Sequence, residues 1–92
     1  MEISVMVESL HLAGISAEYQ NDNLVVINGI SIYISGNLAT FGTSRFRFSD
    51  VYDFVTCLDM EGLVCLEINE KHTIKHTYEK LTSLATVPKV KL

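Results

Sequence analysis

Cys57 and Cys65 are the only thiols among 92 residues, too few for a disulfide-stapled scaffold. In a reducing compartment they are expected to be two unlinked core cysteines. No apolar run is long enough to cross a bilayer. Met1 to Glu8 carries no basic segment, and acids interrupt its apolar residues, so no signal peptide is expected and a cytoplasmic protein is. Internal repeats and low-complexity segments are missing, and so are the motifs of common catalysis. The turn region Gly36 to Ser44 lacks the lysine that a phosphate loop needs, and there is no nucleophile elbow, no His-Glu-x-x-His helix and no paired Cys-x-x-Cys. The expectation is a protein that is not an enzyme and needs neither cofactor nor metal.

What is present is ordinary globular material. Apolar residues make up 48% of the chain and are spread along all of it, enough for one domain that buries roughly two-thirds of the surface its unfolded chain would expose. That domain is expected over residues 1–86. Residues 87–92 read as a C-terminal basic tail, because Pro88 prevents simple continuation of a helix and Val90 and Leu92 alternate with Lys89 and Lys91. Net charge is −4, unevenly distributed. Residues 1–70 hold ten acids against Arg45 and Arg47, whereas residues 71–92 hold five lysines against Glu79.

The stretch with the strongest local signal is Leu24 to Ser35. Asn28-Gly29 separates two β-branched runs, and this dipeptide tolerates positive φ at both central positions of a type I′ turn. A two-residue loop opposes Ile27 to Ile30, Val26 to Ser31, Val25 to Ile32 and Leu24 to Tyr33. Opposed residues share a face, so Val25, Ile27, Ile30, Ile32 and Ile34 form the core face. The other face carries Leu24, Val26 and Tyr33 among serines. That is more apolar than a solvated face requires, and it points either to a contact surface or to a second layer of core beneath another helix.

Around this hairpin the pattern predicts an α+β domain. Ile3, Met6, Val7 and Leu10 have the spacing of one helical stripe, with Gly14 closing a helix from Glu2 to Ala13. Ile15, Ala17 and Tyr19 alternate as a first strand, and Asn21-Asp22-Asn23 then turns the chain. Leu38 to Phe41 and Arg45 to Phe48 read as two short strands around Gly42-Thr43-Ser44. Ser49 or Asp50 caps a second helix bearing Val51, Phe54, Val55 and Leu58, and Gly62 ends it. Leu63 to Ile68 reads as a further strand with Val64, Leu66 and Ile68 inward, followed by Asn69 as a cap. Glu70 to Ala85 reads as a helix through Ile74, Tyr78 and Leu81, with a strand from His72 to Tyr78 as the alternative. The order is α-β-β-β-β-(β)-α-β-α: a mainly antiparallel sheet of four to six strands with helices packed on it.

Candidate chemistry is sparse. His72 and His76 stand four apart on a helix and could share a metal with Glu79 and His11, but two solvated histidines beside lysines is the simpler reading. Cys57 lies beside a helical core stripe with nothing electropositive to activate it. Asp50, Asp53, Asp59 and Glu61 cluster near the second helix, where capping explains them better than acid-base catalysis does. Arg45 and Arg47 alternate with Phe46 and Phe48, so the cations and the rings face opposite ways and make no common stacking platform. With the net acidity, this argues against independent nucleic-acid binding.

Two resemblances follow from this pattern. A helix ending at Ala13-Gly14-Ile15, a meander through Asn28-Gly29, then helix, strand and helix resembles the element order of type III secretion chaperones. That likeness implies a homodimer that binds extended segments. The compact, acidic, motif-poor domain with its Asn-Gly hairpin and capped helices is also similar in type to phage-encoded anti-CRISPR proteins. This second likeness implies stoichiometric inhibition of a host CRISPR-Cas surveillance or nuclease complex. The leading expectation is such an interaction protein, a monomer or homodimer in the host cytoplasm, with no membrane contact. Leu24, Val26, Tyr33, Arg45 and Arg47 are the expected partner-binding residues, and Lys71 and Lys75 are expected to reach RNA already held by a partner.

Overall fold

The structure, a computed structural model, describes residues 1–86, so the expected basic tail at 87–92 lies outside the described residues. The elements are α1 (Ile3–Leu12), β1 (Ala17–Asn21), β2 (Leu24–Ile27), β3 (Ile30–Ser35), β4 (Leu38–Phe41), β5 (Ser44–Arg47), α2 (Val51–Met60) and α3 (Ile68–Thr86). The five strands form one antiparallel sheet in chain order, so the α+β class and the antiparallel meander follow the expectation.

Each strand connection is a two-residue turn. Asn28 and Gly29 have φ of 51° and 81°, the I′ combination, and the β2–β3 register pairs Leu24 with Tyr33 and Ile27 with Ile30 as the turn chemistry requires. Gly42 at φ 57° opens a turn that leaves Ser44 opposite Phe41, so Ser44 belongs to β5 and not to the loop. Asn23 fastens the meander internally. Its backbone N–H donates to Asn21 Oδ1 at 2.8 Å, and its side-chain amide donates to the Ile34 carbonyl at 2.9 Å. The register shift between Tyr19 and Asn21 makes Gln20 a bulge in the edge strand β1.

Helix ends follow local chemistry. At the end of α1, the Gly14 N–H donates to His11 and the Ile15 N–H to Leu10, a pair of bonds that satisfies carbonyls the helix leaves open. The same pair recurs after α2, from Gly62 to Asp59 and from Leu63 to Leu58. Asp50 caps α2 by accepting from the Asp53 N–H at 2.8 Å, and Asp53 in return accepts from the Ser49 N–H at 2.8 Å.

The core lies between the inner sheet face and the helices. Val25, Ile27, Ile32, Ile34 and Ala39 meet Met6, Leu10, Phe54, Val55 and Leu58, all buried. Phe54 holds ring contacts with Phe48 at 5.0 Å and Phe46 at 5.9 Å, which seats α2 over the β4–β5 half of the sheet. α1 lies beside β1, and α3 packs against both other helices through the buried Ile74. Among the described residues, no helix is long and apolar enough to cross a membrane.

Five expectations need correction. Ile30 is 40% exposed, because β4 pairs with β3 only from Tyr33 to Ser35 and leaves Ile30 without a neighbouring strand on that side, whereas the buried Ile27 is flanked by Ala17 of β1. Residues 63–67 pair with no strand. Val64 is buried and Leu66 half-buried, but the alternation comes from an extended linker laid over the core, and Ile68 is exposed in the first turn of α3. Asn69 is inside α3 and not its cap. The bond at the start of that helix runs from the Glu67 N–H to Glu70 Oε1 at 2.8 Å. Cys65 is exposed, so only Cys57 touches the interior, and the strand alternative over His72 to Tyr78 gives way to helix.

Candidate functional site

The pairing of the meander decides what shares its outer face. Asn21 opposes Leu24, Leu24 opposes Tyr33, Tyr33 opposes Thr40 and Thr40 opposes Arg45, one unbroken row across all five strands. On either side of it run Glu18, Val26 and Ser31, and Ser35, Leu38 and Arg47. The five residues expected to bind a partner therefore stand on one face. No residue of these three rows is buried: Tyr33 is 56% exposed, Leu24 and Val26 are half-buried, and both arginines are exposed. All three helices lie on the other side of the sheet, so the second-layer alternative fails among the described residues.

Pleating explains the division. Phe46 and Phe48 turn inward onto Phe54, which commits Arg45 and Arg47 to the outside. They are the only arginines of the chain, and among the described residues neither guanidinium group has a hydrogen-bonding or ion-pair partner. Successive outward residues on a strand are about 7 Å apart, so Arg45 and Arg47 are neighbours on this face, with Leu38 opposite Arg47 and Thr40 between Arg45 and Tyr33. Leu38 and Thr40 also belong to this face. The alternation in which Ala39 and Phe41 face the core is the sequence signal that places them there.

Lys71 and Lys75 are not part of this surface. Both are on α3, in the helical layer. Lys71 Nζ is 3.1 Å from Asp59 Oδ2 with only 13% of its side chain accessible, and it ties α3 to α2. Lys75 Nζ lies 4.0 Å from Glu79 Oε2 along the same helix.

The histidines do not converge on a metal geometry. His72 stacks on Tyr52 with ring centroids 4.9 Å apart, and His76 Nδ1 is 3.9 Å from Glu79 Oε1. Among the described residues, no group of three or more His, Cys, Asp or Glu side chains could hold an ion. Cys57 and Cys65 are both free thiols. Cys57 Sγ donates to the Arg47 carbonyl at 3.7 Å, and burial, with Asp53 and Glu61 nearby, pushes its pKa up, away from nucleophile activation. No known family profile matches the chain, and neither a curated protein nor a solved structure matches it.

Proposed function

We propose that the protein acts by stoichiometric binding, with the outer sheet face laid on a functional surface of a partner so as to occlude it. The supporting observation is the row Leu24–Tyr33–Thr40–Arg45: apolar, aromatic and cationic groups held in fixed register and uncovered by the protein's own helices. A four-turn meander on a packed core is rigid, and a rigid face loses little conformational entropy when it docks. No catalytic step enters this reading. Its specific form is inhibition of a CRISPR-Cas surveillance or nuclease complex in the host cytoplasm, taken from the anti-CRISPR likeness of size and character.

The test is affinity capture with tagged protein from a bacterial lysate containing active CRISPR complexes, followed by mass spectrometry, sedimentation and a target-cleavage assay. Recovery of a nuclease or surveillance complex at fixed stoichiometry, with cleavage lost at the same molar ratio, is the expected result. Recovery of a homodimer alone would overturn occlusion and assign the face to a second subunit, as in a secretion-type chaperone.

A further inference from the structure

We infer that the surface recognised by the outer face is an acidic protein surface, whose carboxylates are gripped by Arg45 and Arg47 while Tyr33 and Leu24 take the adjoining apolar contact. This inference rests on the binding role proposed above and adds the partner's chemical class.

Charge placement carries it. Nine of the eleven acids lie on the helices or their caps, and the outer face holds Glu18 as its one acid against the chain's only two arginines. A molecule with net charge −4 repels an acidic partner over much of its surface, and the arginine end of the sheet is a locally cationic approach on the face that the helices leave open. Guanidinium groups without an internal carboxylate are ready for bidentate pairing with one from outside. Tyr and Arg are also the residue types that carry binding energy at protein interfaces.

The same counts weigh against nucleic acid. Two phosphate contacts give a salt slope of only about −1.4 to −1.8, against the six to ten contacts of an ordinary binder. Single-strand binders stack successive bases on several aromatics. This face has Tyr33 alone, because Phe41, Phe46 and Phe48 belong to the inner side.

The experiment uses the full chain and the CRISPR-bearing lysate. Tagged T40K, and S35K as a second probe, keep both arginines and set an amine on the outer face for a zero-length carbodiimide, which joins amines to carboxylates. The expected result is linkage from position 40 or 35 to Asp or Glu of one captured chain. R45E/R47E should recover that chain at least tenfold less well than wild type, with an unchanged circular dichroism spectrum and Tm. Undiminished recovery by R45E/R47E, links confined to Lys71, Lys75 and Lys80, or recovery abolished by nuclease would each overturn the acidic-surface assignment while leaving occlusion in place. Failure of wild type to recover any stoichiometric partner would overturn both.

Discussion

Cys57 and Cys65 show how far residue type and residue environment diverge. Cys57 sits half-buried on α2 with its sulfur against the Arg47 carbonyl, and Cys65 stands exposed on the linker after it. The folded state holds the Cys57 proton more tightly than the unfolded chain does, since burial first and then Asp53 and Glu61 raise its pKa. Its contribution to stability is therefore complete below the ordinary thiol pKa and declines as pH rises past that value. Iodoacetamide at pH 8 should modify Cys65 first and Cys57 slowly, with peptide mass spectrometry as the readout. Equal rates would contradict the environment assigned to Cys57. The chain alone suggested two unlinked core thiols, and the exposure of Cys65 corrects half of that expectation. Which one faces water depends on where the linker lies over the core.

At the scale of elements, the two sides of the sheet should respond differently to the same truncation. Phe54 is fully buried among Phe46 and Phe48, so Phe54→Ala should cost about 3–5 kcal/mol in urea denaturation. Tyr33 has a cross-strand partner in Leu24 but no cover, so Tyr33→Ala should cost about 0.2–1 kcal/mol while weakening partner recovery at least tenfold. A large loss of stability at Tyr33 would mean that this face supports the fold more than it supports binding. The hairpin carrying Tyr33 was legible because Asn28-Gly29 and the β-branched runs agree locally. Residues 63–67 were misread as a strand because alternation records burial on one side only. A ladder also needs a neighbouring strand, and β5 turns away into α2 before one is available.

For the whole molecule, the open edges of the sheet bear on oligomeric state. β5 presents Arg45 and Arg47 along one edge, and β1 closes the other with a bulge at Gln20 beside Glu18. Charges and bulges of this kind discourage edge-to-edge pairing. Sedimentation of the isolated protein should therefore give a 10.3 kDa species, and R45V/R47V should shift it toward larger ones. A wild-type dimer would favour the paired-subunit reading of the outer face. The amino-acid sequence by itself determined the Asn28-Gly29 hairpin, the cap at the start of α2, the antiparallel α+β class and the common facing of Leu24, Val26 and Tyr33, because turn chemistry and periodicity act over a few residues. Only the tertiary structure decided that none of the described helices covers this face, and that Lys71 is engaged with Asp59 in the opposite layer. Those outcomes depend on which side of the sheet three helices choose, and no local spacing encodes that choice.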